Sequence, residues 1–224
     1  MIVLGMDTST PSTVAGLLVG SDRVLEARDD PEPPSRGDHA ARLLVLVREL
    51  LEAGGTGWEG IDRIAVGAGP GGFTGLRIGI ATARALAQAT GLPLVPVSSL
   101  AALAAGAGDP EGAIAAVTDA RRGEVFAAAY AGGRELLAPA ALPPRELATR
   151  LLALDVPVRA VGDGAVRFRP ELELAGIAVP ADGAAVHRIA AGPLCRLGSA
   201  GQPAARDAVA PDYRREPDAK PPQR

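Results

Sequence analysis

With 224 residues, 47% of them hydrophobic, and a mean hydropathy of +0.16, the chain can bury one large core or two small ones and is too apolar for a disordered protein. A net charge of −3, from 26 acidic against 23 basic side chains, excludes a protein that holds nucleic acid by charge alone, because phosphate contacts need clustered cations. The one cysteine, Cys195, excludes an internal disulfide and a cysteine-based zinc site, and aromatics at 3% leave the core to closely packed aliphatic side chains.

The first residues, MIVLGMDTST, carry no basic stretch and only a short apolar run. The expectation is a first strand rather than a signal peptide or membrane span, in a protein of the reducing cytoplasm. Residues 2–6 read as a buried strand ending at Asp7, with Thr8, Ser9 and Thr10 in the turn after it. A carboxylate there suits either a metal-bound water or the capping of the turn. Residues 13–19 form a second strand, and Gly20-Ser21-Asp22 turns it into a third at 23–27.

A polar, proline-rich loop fills 29–37, and Asp38 then caps a helix running to about residue 53. Its expected core stripe is Ala40, Leu43, Leu44, Val47, Leu50 and Leu51, with His39 and Leu46 at the margin. That is more apolar surface than one face needs. No second histidine stands one turn after His39, so it reads as part of a contact surface rather than as a metal ligand.

Residues 64–90, IAVGAGPGGFTGLRIGIATARALAQAT, read as strand, tight glycine loop and helix, with Pro70 stiffening the turn and Thr74 as N-cap. Glycines in such a loop provide positive φ or close approach of another group. The loop suits a phosphate at the helix N-terminus, or only lets the helix pack tightly; its spacing matches neither of the common nucleotide-binding loops. On the helical wheel Ile78, Thr82, Leu86 and Ala89 form one apolar stripe, and Leu76, Ile80, Ala83 and Ala87 a second, small-residue stripe beside it. Arg77, Arg84 and Gln88 make the polar strip. Two stripes imply a second helix lying close, from this chain or from a partner.

A short strand at 93–97, a helix capped by Ser98 or Ser99 and a Gly/Asp/Pro linker at 106–112 close a first domain, residues 1–106. A second, 107–200, begins with a strand at 113–118 ending at Asp119, and a returning strand at 124–130. Asp119 precedes Arg134 at nearly the distance at which Asp7 precedes Arg23, so the plan repeats as in an internal duplication. A helix at 143–154, a strand at 158–161 and a helix at 184–197, bent or ended by Pro193, follow. The remainder, 201–224, is rich in proline and charge and reads as a loosely held tail with Tyr213 as anchor.

Two strand-hairpin-plus-helix units, each with an Asp ending its first strand, resemble the actin, hexokinase and heat-shock-chaperone ATPase fold, an α/β class with duplicated βββαβα subdomains. Within it, GPGGFTGLRIG at 69–79 is similar to the GPGSFTGLRIG signature of the TsaB (YeaZ) family. DTST at 7–10, DARRGEVF at 119–126 and PDYRR at 211–215 resemble further family motifs in the same order. The departures are Gly72 for Ser, Phe126 for Tyr and Arg214 for Leu.

The resemblance implies a non-catalytic subunit of the bacterial complex that installs threonylcarbamoyladenosine beside the anticodon of tRNAs reading A-starting codons. It implies pairing with a TsaD-like homologue through helices 38–53 and 74–90, with a TsaE-like ATPase joining them. The expected interface residues are His39, Leu43, Leu46, Leu50, Leu76, Ile80, Ala83 and Ala87, and without the partner a homodimer is expected. Asp7, Thr8, Ser9, Gly69 and Gly71 are expected as a vestigial nucleotide site. No cofactor is expected on the isolated chain, with ATP or ADP assigned to the partner interface. Arg121, Arg122, Arg214 and Arg215 are the places to look for RNA contacts, although tRNA is expected to be reached through the complex. The bulky Arg121 and Arg122 in the second turn give no tight phosphate cradle. The rival readings are an active ATPase or small-molecule kinase using Asp7, Thr8 and the 69–75 loop, and a metallopeptidase, for which two distant histidines supply no ligand set.

Overall fold

A computed structural model describes residues 1–31, 38–108 and 111–215. Most of the proline-rich loop (32–37), part of the linker (109–110) and the last residues of the tail (216–224) lie outside the described residues.

Strand β1 (Ile2–Asp7) is the centre of a five-stranded sheet ordered β3-β2-β1-β4-β5. It pairs antiparallel with β2 (Thr13–Val19), which pairs antiparallel with β3 (Arg23–Asp29). On its other side it runs parallel to β4 (Arg63–Gly69), and β4 to β5 (Leu94–Ser98). The parallel steps are bridged by helices, as parallel pairing requires. Helix α1 (His39–Gly54) leads into β4, and α2 (Phe73–Thr90) into β5. Asp38 caps α1 by accepting the Ala41 N–H at 3.1 Å, and Gly55, at φ 62°, ends it in the left-handed conformation that glycine adopts without strain. The N-cap of α2 is Gly72 rather than Thr74. The Gly72 N–H donates to the Ser9 carbonyl at 2.7 Å, which ties the start of the helix to the turn after β1.

After α3 (Ser99–Gly106) the plan recurs in a four-stranded sheet ordered β8-β7-β6-β9. Its members are β6 (Ala113–Arg121), β7 (Glu124–Ala131), β8 (Arg134–Leu142) and β9 (Val158–Val161). Helix α4 (Pro144–Leu152) precedes β9, and two short helices, α5 (Asp163–Arg167) and α6 (Arg169–Leu174), follow it. Asp7 faces Val14 across the first hairpin as Asp119 faces Val125 across the second, so the duplication holds at the level of register.

Five layers result. Helices α1 and α2 cover one face of the first sheet, and α4, α5 and α6 cover the outer face of the second. Between the sheets lie α3 and α7 (Ala191–Ala200). Helix α7 corrects the expected division at 106: assigned to the second domain by its place in the sequence, it packs on β1, β2 and β4 of the first sheet. It starts at Ala191, after a 3-10 turn at Ala185–His187, so Pro193 lies in its first turn, where proline is tolerated, and neither bends nor ends it. The approach is close because small residues face one another: Gly16 meets Ala191, Gly198 meets Ala65, and Gly5 meets the Cys195 sulfur. Burial pushes the Cys195 thiol up to about 12, which makes it an inert core group. Arg63 on β4 donates to the carbonyls of Ser199 and Gly201 at 3.0 and 3.2 Å, satisfying the C-terminal end of α7.

The tail also departs from expectation. Ala204 bridges Leu94 on the edge of β5, Val209 is buried, and the Asp212 N–H donates to the Ala68 carbonyl at 2.8 Å. Tyr213 is the anchor expected of it, but the described tail is held along its length.

Candidate functional site

The turn after β1 is closed rather than open to a ligand. Asp7, Thr8 and Ser9 are 1%, 1% and 3% exposed. One oxygen of Asp7 accepts from the Ser9 N–H at 2.8 Å and the Ser9 hydroxyl at 2.7 Å; the other accepts from the Ser99 hydroxyl at 2.7 Å. Thr8 donates to the Gly75 carbonyl at 2.7 Å. Four glycines spaced along the loop and helix make this possible: a Cβ at Gly67 would strike the Asp7 carboxylate, at Gly71 the Ser9 carbonyl, at Gly75 the Thr8 carbonyl and at Gly79 the Thr8 hydroxyl. Gly69, at φ 106°, instead supplies the positive φ that the turn needs, and its N–H donates to Ser99 at 3.2 Å.

The residues expected as a vestigial nucleotide site thus bond to one another, to the first turn of α2 and to Ser99. Their polar atoms are engaged by the chain itself, and their glycines serve backbone contact, so these residues do not fit a phosphate cradle in this arrangement. Burial pushes the Asp7 carboxyl above the usual carboxylate range, against the hydrogen bonds from Ser99 and Ser9.

His39 sits beside this turn, half-buried, with Nδ1 2.8 Å from the Thr13 hydroxyl. Burial lowers its pKa. Among the described residues no group of three or more His, Cys, Asp or Glu side chains could hold a metal ion.

The expected partner interface is corrected at seven positions. Leu43, Leu46, Leu50, Leu76, Ile80, Ala83 and Ala87 are at most 3% exposed, and all of them but Leu76 share one core cluster with Leu4, Met6, Ile64 and Val66. The two stripes of α2 were thus assigned in the wrong order: the stripe 76-80-83-87 faces the sheet, and the surplus is its neighbour. On the outward side Ala81 and Ala85 are exposed and Ile78 and Thr82 half-buried. On α1, Leu44 is 51% exposed, with Ala41 exposed and Val45 half-buried nearby. The two helices lie side by side on the sheet, so they present apolar and small side chains on one outward surface. The sequence placed Leu44 in the core. The cleaner spacing 43-46-47-50 was the signal that would have excluded it.

Three of the four singled-out arginines meet. Arg121 and Arg122 hold φ of 65° and 55° in the β6–β7 turn, and Arg215 donates to the Ala120 carbonyl at 2.6 Å. Carboxylates accompany them: Asp119 lies 3.3 Å from Arg121 and 2.6 Å from Arg167, and Glu124 3.8 Å from Arg215. Arg214 pairs with Asp212 at 2.7 Å. In this network Arg121, Arg167 and Arg215 are all engaged with Asp119 or Glu124.

Comparison with known proteins agrees with this geometry. A family model described as "TsaD: tRNA N6-adenosine threonylcarbamoyltransferase" matches residues 31–190. The tRNA threonylcarbamoyladenosine biosynthesis protein TsaB of Escherichia coli (strain K12) is 39% identical over 132 residues, 58% of this chain and 55% of that protein. The chain thus spans little more than half the length of this curated relative. A solved structure, YeaZ from Pseudomonas aeruginosa, superposes with a TM-score of 0.78 at 31% identity, covering 95% of this chain and 99% of the other. A ROK hexokinase from Thermus thermophilus, at 16% identity and a TM-score of 0.54, covers 89% of this chain and 99% of its own and shares the fold alone.

Duplicated units around two sheets, with an Asp closing each first strand, give the chain the fold of the actin, hexokinase and heat-shock-chaperone ATPase class. Within that class, the chain belongs to the TsaB (YeaZ) family. No helix among the described residues is long and apolar enough to cross a membrane.

Proposed function

We propose that the chain is a non-catalytic scaffold of the machinery that makes threonylcarbamoyladenosine in tRNA, and that it binds and activates a TsaD-like threonylcarbamoyltransferase of its own fold. Family membership supports the pathway, and the observation that carries the scaffold reading is the outward surface of α1 and α2. Leu44, Ile78, Ala81 and Ala85 give a second pair of helices a surface with small residues, which permits close approach. The sealed turn at Asp7 supports the non-catalytic part, since both carboxylate oxygens are engaged by Ser9 and Ser99. ATP or ADP in the assembly is then held by groups of the partner, and a TsaE-like ATPase and the tRNA are reached through the complex.

Co-purification of the full chain with a TsaD-type partner tests this. Ala81→Glu and Ile78→Asp are expected to abolish the complex while leaving the chain folded, and Leu174→Ser, at a side chain 91% exposed on the far helical layer, is expected to leave it intact. Folded Ala81→Glu and Ile78→Asp proteins that still retain the partner overturn the assignment. Calorimetry with ATP and Mg²⁺ is expected to show no micromolar binding by the isolated chain; binding with turnover favours an active ATPase or small-molecule kinase instead.

A further inference from the structure

The tail from residue 204 to 215 crosses from one half of the molecule to the other. It leaves the edge of β5 at Ala204, and Asp207 then pairs with Arg84 of α2 at 2.6 Å. Val209 inserts into the core beneath α1 and α2. Tyr213 stacks on Phe73 with ring centroids 5.3 Å apart, and its hydroxyl accepts from Arg77 Nε at 2.8 Å. Arg77 also lies 3.7 Å from the centre of the Phe73 ring.

Phe73, Arg77 and Arg84 fall on one flank of α2, and the tail meets them in reverse order. The helix rises about 16 Å between Phe73 and Arg84. The seven tail residues from Asp207 to Tyr213, six steps along the chain, span about 20 Å at full extension, so the tail has little slack. Two residues later Arg215 reaches the second half, donating to the Ala120 carbonyl at the base of the β6–β7 turn.

We infer that residues 204–215 form a clamp that holds the β6–β7 hairpin against α2, so that release at either end of its last stretch is felt at the other. Tyr213, stacked on Phe73 and bonded by Arg77, is the first-half anchor, and the bond from Arg215 to Ala120 is the second-half anchor. Between them stands one residue, Arg214, whose pairing with Asp212 on the other side of Tyr213 stiffens the span. The inference concerns the isolated chain and stands or falls independently of partner binding.

Backbone hydrogen exchange on the full chain reads it directly. Tyr213→Ala is expected to speed exchange of the turn amides at 121–125 by about threefold or more, the scale of a lost aromatic pair. Arg215→Gln is expected to speed exchange of the Asp212 and Tyr213 amides in return, because coupling between two sites is reciprocal. The double variant is expected to be non-additive at both places. Effects confined to the substituted end, or simply adding in the double variant, overturn the clamp. Should Tyr213→Ala speed every amide alike, Tyr213→Phe, which removes only the bond from Arg77, gives the reading: faster turn exchange sustains the inference and unchanged turn exchange overturns it.

Discussion

Asp7 sits where the superfamily resemblance puts a chemical group, and its surroundings give it a structural task. Three hydroxyl and amide donors compensate a carboxyl that is buried, yet burial still favours the neutral form. Because its folded pKa lies above the unfolded one, the favourable contribution is complete below the unfolded value and fades as pH rises through the folded value. Asp7→Asn is expected to flatten that decline and to leave partner binding intact; thermal melts of both proteins across that pH range check it. A variant with the same pH profile as the parent assigns the decline to another group. The sequence showed the position of Asp7 and the hydroxyls around it, but not that Ser99, ninety-two residues away, accounts for its second oxygen. No local pattern encodes that contact.

Between one residue and the whole lies the helix. Gly67, Gly71, Gly75 and Gly79 recur at every fourth position, and this run is what lets the start of α2 lie on the turn at Thr8. Gly75→Ala would drive a methyl into the Thr8 carbonyl, a backbone atom that cannot swing aside. Overpacking of that kind is expected to cost about 3 kcal/mol, read as a lower denaturation midpoint with unchanged slope. The wheel of α2 revealed two apolar stripes and thus the surplus, but spacing alone does not say which stripe meets the sheet. The glycines settle it, because Gly75 and Gly79 share the face of Leu76, Ile80 and Ala83. Helices α5 and α6 escaped notice because five- and six-residue helices complete less than two turns and carry no periodicity. The left-handed Arg121 and Arg122 escaped for the opposite reason: arginine does not announce positive φ, and only the hairpin's register imposes it.

For the molecule as a whole, the outward surface of α1 and α2 bears on assembly. A surface that accepts a homologue is also open to a second copy of itself, in a two-fold arrangement. Sedimentation of the isolated chain at tens of micromolar is expected to show a dimer, and Ala81→Glu a monomer; a parent protein that sediments only as a monomer removes self-association. The repeat of strands was legible, since each copy carries its own apolar alternation, Asp and turn. The return of α7 to the first sheet was not, because nothing local in residues 191–200 states which sheet they will cover.

That return has a consequence for how the chain is made. The inner face of the first sheet, with Gly5, Gly16 and Ala65 shaped to receive Ala191, Cys195 and Gly198, stays uncovered there until residues 191–198 have been synthesised. The leading half of the polypeptide therefore gains no head start from being synthesised first. Its maturation waits on α7, and a chain cut before Ala191 keeps an open wound on that sheet rather than becoming a smaller working protein.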